Sequence, residues 1–266
     1  MHDPLEPFPF ACAAGVCGPE ASSAVTFGDA RAVFPLASVS KLLASYAALI
    51  AVDQGYLSLD DPAGPEGSTV RHLLAHASGY AFEGGTLLAQ PGTRRMYTNF
   101  GIEELGRELE GATGCDLDEW IEIALVQPLS LQDVVLTGSP AKDYCGSVAD
   151  LLILGRELLH PTLVGESLAK ELRTPQFPEL SGVLPGYGRQ SPNLWGLGPE
   201  IRGEKRPHWT GTRNSPAAFG HFGQSGSFLW VDPVADACAA FLGAEPFGEM
   251  HVQQWPALSD ALLERL

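Results

Sequence analysis

The segment Phe34-Pro35-Leu36-Ala37-Ser38-Val39-Ser40-Lys41-Leu42-Leu43 opens an apolar run that continues to Val52. The pattern predicts a helix over 38–54, closed by Gly55 as a C-cap. The run Leu42 to Val52 is interrupted by Ser45 and is too short to span a bilayer. Ser38 and Lys41 are one helical turn apart, so their side chains leave the same face. A hydroxyl beside an amine at a helix start is a way to build a nucleophile without histidine. The partial positive charge of the helix N-terminus disfavours a second cation there. Burial acts in the same direction, so a neutral Lys41 could accept the Ser38 proton. The same residues also fit a plainer arrangement, with Ser38 capping the helix and Lys41 solvated.

The chain has 266 residues, 45% of them hydrophobic and 18% charged, which describes a globular protein with a real core. Sixteen Lys and Arg against 32 Asp and Glu give a formal charge of −16. A nucleic-acid backbone needs clustered cations, so such a partner is not expected. A small anionic substrate is compatible, because salt confines the repulsion to about 8 Å. Met1 to Phe10 holds three prolines, two acids and no Lys or Arg. A secretory leader needs a basic start and an apolar stretch, so a cytoplasmic protein without a membrane partner is expected. Cys12, Cys17, Cys115, Cys145 and Cys238 are scattered and odd in number, which fits free thiols in a reducing compartment. No metal or other cofactor is expected, and the oligomeric state is open.

Strand and helix signals at both ends flank a helical middle. Val25 to Phe27 reads as the first strand, followed by a Gly28-Asp29 turn. Residues 60–68 form a loop, 69–173 are mainly helical, and 174–200 form a long Pro- and Gly-rich loop. Ser147 with Asp150 three residues on is a capping signal for the helix after it. Gly226 to Val231 and Ala237 to Leu242, joined by Asp232-Pro233, read as a β-hairpin, and Trp255 to Leu266 as a closing helix. The expected architecture is α/β (α+β). Residues 1–60 and 205–266 make a sheet lobe and 61–204 a helical lobe, with a cleft between them.

Two further segments carry chemistry. In Tyr97-Thr98-Asn99 an extended backbone would send both outer side chains to one side. A phenol near an amine can lose its proton more easily and shuttle it, and an amide can bond a substrate carbonyl. Asn99 also fits as an N-cap for the helix that follows. In Phe219-Gly220-His221-Phe222-Gly223-Gln224-Ser225-Gly226, glycines at a strand start let a ligand approach the backbone, whose N–H groups can form an oxyanion hole. A tight turn with a structural His221 is the plainer alternative.

In this order, Ser38-x-x-Lys41, Tyr97-x-Asn99 and His221-x-Gly223 resemble the serine β-lactamase and penicillin-binding-protein superfamily, in its class C β-lactamase, DD-peptidase and esterase branch. Leu73-Leu74-Ala75-His76-Ala77-Ser78-Gly79, Leu59-Asp60-Asp61-Pro62 and Gly226 to Pro233 are similar to supporting stretches of that branch. The resemblance covers roughly residues 25–245. It implies an antiparallel sheet flanked by helices, with the active site against a reduced helical lobe. It implies a serine hydrolase that forms an acyl-enzyme on an ester, amide or lactam carbonyl. Ser38 would be the nucleophile, and Lys41 and Tyr97 would share the proton work. The backbone N–H groups of Ser38 and Gln224 would form the oxyanion hole, and Asn99, His221 and Gly223 would contact substrate.

Many relatives carry lysine where this chain has His221, and a neutral imidazole holds a carboxylate less firmly. Residues 42–96 form a short link between the first two motifs, which implies a trimmed helical lobe. An esterase or amidase acting on a small molecule is therefore expected ahead of a true β-lactamase or a D-aminoacyl peptidase. A retired member that only binds a ligand or protein is the alternative of another class. Ser225 in Gly223-Gln224-Ser225-Gly226-Ser227 lacks the final glycine of G-x-S-x-G. His72 and His76 lack the glutamate and third ligand of a zinc site.

Overall fold

The computed structural model describes residues 3–19 and 24–266. In chain order the strands are β1 (Cys12–Cys17), β2 (Val25–Phe27), β3 (Phe34–Pro35), β4 (Cys145–Gly146), β5 (Gly182–Leu184), β6 (Gly188–Gln190), β7 (Glu200–Ile201), β8 (Phe219–Gly223), β9 (Ser227–Asp232) and β10 (Ala237–Gly243). The α-helices are α1 (Ser40–Asp53), α2 (Val70–Leu74), α3 (Phe100–Thr113), α4 (Leu117–Ile121), α5 (Gln127–Leu129), α6 (Val148–Leu159), α7 (Glu166–Leu172) and α8 (Glu249–Leu263).

Six strands form one antiparallel sheet in the order β2-β1-β10-β9-β8-β7. The β9–β10 hairpin closes at Asp232-Pro233 in the expected place, with Asp232 opposite Ala237 and Ser227 opposite Leu242. Alternate residues of a strand face opposite sides of a sheet. Leu229 and Val231 of β9 accordingly join the core built around α1 and α6. Phe228 and Trp230 join a second core with Trp255, Leu258 and Leu262 of α8. Both faces are covered, so the central strands are apolar throughout rather than alternating.

The first strand is β1, in a stretch whose residues carry no strand pattern. Its composition, Cys-Ala-Ala-Gly-Val-Cys, is weak in β-formers because packing demands small residues. A Cβ on Gly15 would lie 2.8 Å from Leu152 of α6. A Cβ on Gly155 of α6 would lie 2.8 Å from Cys238 Sγ of β10. Helix and sheet thus meet at close range. Within residues 61–204, α6 packs on β1, β9 and β10, and β7 forms the edge of the sheet beside β8. The 174–200 loop holds the β5–β6 hairpin. The closing helix starts at Glu249 rather than Trp255, because His251 Nδ1 accepts the Gly248 N–H at 3.2 Å and fixes its first turn.

Helix α1 ends where its pattern predicts, with Gly55 in the left-handed region at φ +81°. The cap at Ser147 also forms: its Oγ accepts the Asp150 N–H at 3.2 Å and donates to Asp133 at 2.7 Å. Ser147→Ala is expected to destabilise the fold by about 1 kcal/mol in urea unfolding. Among the described residues, no two cysteines are joined in a disulfide. Among the described residues, no helix is long and apolar enough to cross a membrane.

Candidate active site

Ser38 lies in a single 3-10 turn, Ala37–Val39, just ahead of α1. The preceding Ala37 has φ +45°, a strained region for a residue with a Cβ. Surrounding bonds hold it there. The Leu36 N–H donates to Tyr144 O at 2.9 Å, and Ser227 Oγ donates to Leu36 O at 2.7 Å. Ser225 Oγ donates to Pro35 O at 2.7 Å, so this rival serine ties the Ser38 approach to the turn after β8. Gly223 sits in the same junction. A Cβ there would meet Leu36 O and Ser227 Oγ at 2.5 Å, so only glycine lets β8 pack this closely.

Lys41 is fully buried in the first turn of α1. Its Nζ lies 3.3 Å from Ser38 Oγ, 2.6 Å from Asn99 Oδ1 and 2.7 Å from Ala141 O. Burial holds its amine well below the ordinary lysine range, against the opposing pull of Glu83. Tyr97 OH donates to Ser38 Oγ at 2.6 Å. The expectation of an easily ionised phenol is corrected. Burial raises the Tyr97 pKa, the Ser38 bond only partly opposes this, and Glu83 adds to the rise.

Asn99 bridges Lys41 and Glu83. Its Oδ1 accepts from Lys41, and its Nδ2 donates to Glu83 Oε1 at 2.7 Å, so both ends of the amide are engaged within the protein. Glu83 also accepts from Lys142 at 3.2 Å. The Glu83 and Ala141 partners have no motif in the sequence, because both come from loops that folding brings to Lys41.

Ser38, Tyr97, His221 and Gln224 line one cavity of about 720 Å³. Lys41 stands behind Ser38. Phe82, Leu88, Val183, Leu184, Trp195 and Phe222 give the cavity apolar walls. The His76 ring packs 4.8 Å from Tyr97 and 4.6 Å from Trp195, and the His72 Nδ1 is 3.0 Å from Thr69 Oγ1. These histidines serve packing and loop contacts. Among the described residues, no group of three or more His, Cys, Asp or Glu side chains could hold a metal ion.

The sequence model of the β-lactamase family matches residues 28–263. The chain belongs to the β-lactamase family. A structure of a β-lactamase from Mycobacterium bovis is 48% identical with a TM-score of 0.95, over 98% of this chain and 97% of that one. The structure of SurE with D-Leu is 22% identical with a TM-score of 0.79, over 98% of this chain and 73% of that one. EstCE1, a hydrolase with promiscuous acyltransferase activity, is 18% identical with a TM-score of 0.78, over 97% and 95%. The last two show a shared fold alone. No curated protein matches. Membership bears out the resemblance to the superfamily's class C-like branch and the fold it implied, and it supports a hydrolase of this superfamily.

Along the cavity wall, this β-lactamase-family chain buries an ionic cluster centred on Glu200. Glu200 of β7 accepts from Lys205 Nζ, from Trp209 Nε1 at 2.6 Å and from His208 Nε2 at 3.1 Å. Burial alone would push the Glu200 carboxyl up, but His208 and Lys205 together outweigh it and hold it at about 2. Its contribution to stability is therefore present above the unfolded value of about 4.3 and is lost as pH falls through the folded value. Glu200→Gln leaves the Lys205 ammonium buried without its counter-charge. It is expected to cost about 3–5 kcal/mol in urea unfolding and to flatten the pH dependence of stability in this acid window.

Proposed function

We propose that this protein is a serine hydrolase that forms an acyl-enzyme on an ester, amide or lactam carbonyl, with esterase or amidase action foremost. The observation that carries this reading is the convergence on Ser38 Oγ, which receives the Tyr97 hydroxyl at 2.6 Å and faces the buried Lys41 Nζ at 3.3 Å. A neutral amine has two N–H bonds and one lone pair. Asn99 Oδ1 and Ala141 O accept the two N–H bonds. The lone pair is left facing Ser38 and takes its proton as Oγ attacks the carbonyl carbon. Tyr97, kept as a phenol, donates to Oγ, which favours Lys41 as the base. The tetrahedral intermediate collapses, and the leaving group departs with the proton. Water then releases the acyl group by the same route.

The backbone N–H groups of Ser38 and Gln224 are assigned to the developing oxyanion, since β8 runs beside the Ser38 turn. The apolar walls suit a small substrate with an apolar acyl or leaving group. A cytoplasmic setting completes the proposal. Incubation with a fluorophosphonate probe and with a fluorescent penicillin, beside Ser38→Ala, tests it. Fluorophosphonate labelling that depends on Ser38 is expected. Penicillin labelling with cephalosporin turnover would shift the reading to a true β-lactamase, and penicillin trapping to a D-aminoacyl peptidase. No Ser38-dependent label from either probe would favour a ligand- or protein-binding member.

A further inference from the structure

The buried Asn99 amide has a different partner at each end. Its Oδ1 accepts from Lys41 Nζ at 2.6 Å, and its Nδ2 donates to Glu83 Oε1 at 2.7 Å. The two ends of an amide have nearly the same shape, so hydrogen-bond partners and not packing distinguish them. A neutral Lys41 does not distinguish them, since an amine both donates and accepts. Glu83 does. An ionised carboxylate only accepts, so it takes the N–H end and repels the oxygen end. The Asn99 bond first, and then Lys142, hold the Glu83 carboxyl below its ordinary range against a small opposing effect of burial, so it stays ionised. Backbone bonds fix its approach. Phe82 O accepts the Asn99 N–H at 2.9 Å, and Ala81 O accepts the Thr98 hydroxyl at 2.7 Å. Ala141, the residue before Lys142, supplies the other carbonyl acceptor of Lys41. Glu83 itself lies outside the lining of the Ser38 cavity.

We propose, building on the acyl-enzyme reading, that Glu83 is a positioning residue for the base: an acceptor-only anchor that holds the Asn99 oxygen toward Lys41 and so leaves the Lys41 lone pair for Ser38. The opposite amide orientation shows the need for such an anchor. With the ends exchanged, Nδ2 would donate to Lys41 and occupy its lone pair. A Lys41 N–H would then turn to Ser38 Oγ, and the amine would no longer take the serine proton. The same exchange sets Oδ1 against the Glu83 carboxylate, oxygen against oxygen, and that repulsion disfavours it. A neutral amide in place of the carboxylate removes the repulsion, because it can turn and donate to Oδ1. Glu83 thus acts on the reaction through Asn99 and Lys41, from outside the cavity.

Glu83→Gln keeps the size of the side chain and removes its acceptor-only character. On the plateau of the pH profile, kcat/KM for an aryl acetate should fall by about tenfold or more, with the melting temperature little changed. The acid limb should move to lower pH, because the Glu83 charge raises the Lys41 value while Lys142 and Glu103 of α3, the other charges acting on that amine, stay in place. A slower enzyme with more free amine separates a misdirected lone pair from a loss of base. In an Asn99→Ala background, Glu83→Gln should have no further effect on rate. Wild-type kcat/KM in Glu83→Gln, an unmoved acid limb, or an equal further loss in the Asn99→Ala background would each overturn the proposal. Neutron diffraction supplies a readout without turnover, since it distinguishes nitrogen from oxygen and locates deuterons. It should show Nδ2 facing Glu83 in the wild type and facing Lys41, in whole or in part, in Glu83→Gln. A wild-type Nδ2 facing Lys41, or an unchanged orientation in the variant, overturns the proposal by itself. Absence of Ser38-dependent turnover in the wild type would instead overturn the hydrolase reading, with the amide orientation still decided by diffraction.

Discussion

Replacing Ser38 by alanine is expected to lower kcat/KM at least about a thousandfold for any ester the protein turns over. Lys41 and Tyr97 both meet at the Ser38 hydroxyl, so its loss removes the nucleophile and strands the proton partners. Ser225 cannot take over, because its hydroxyl donates to Pro35 O. What rate persists would come from binding and from the backbone donors. The fold should survive, with a loss of about 1–3 kcal/mol from leaving the Tyr97 hydroxyl without its acceptor. Steady-state kinetics with an aryl ester, beside a thermal melt, check both parts. A folded Ser38→Ala protein with wild-type turnover would remove Ser38 from the mechanism.

Lys41→Met is expected to reduce kcat/KM by about a hundred- to ten-thousandfold, the range for losing a general base. Methionine matches the unbranched stem but leaves Asn99 Oδ1 and Ala141 O without their donor. The pH profile separates lost chemistry from lost packing. A base must be unprotonated, so activity should rise with pH through the lowered Lys41 value and level off below the ordinary lysine range. That rising limb should vanish in Lys41→Met. Stability carries the same signature. The unfolded chain holds the lysine proton up to about pH 10.4, while the folded state releases it earlier. Between the two values the unfolded state binds more protons, so this group's contribution to stability rises with pH and is full above the unfolded value. A wild-type acid limb that persists in Lys41→Met would assign the base to another group.

Much of the fold was legible from short-range pattern. The α1 helix, its stop at Gly55, the Ser147 cap and the β9–β10 hairpin each depend on residues within a few positions of one another. Strand β1 was not legible, because its small residues answer to Leu152 and Val148 of a distant helix rather than to β propensity. The position of α6 on the sheet was hidden for the same reason. At the site, the motifs pointed to Ser38, Tyr97, His221 and Gln224, which share one cavity. Glu83 and Ala141 were missed, since an acidic loop residue and a carbonyl oxygen carry no sequence signature.

The sequence alone determined that a hydroxyl and an amine would share one face, because helix periodicity depends only on spacing. It also placed the residue pairs at 97–99 and 221–223 in the order that resembles this family. Tertiary structure decided the state of each group. Burial lowers the Lys41 amine and raises the Tyr97 phenol. The Glu83 contact turns Asn99 toward Lys41. Proton positions follow from which acceptors pack nearby and how much water is excluded, and both arise only when distant segments meet.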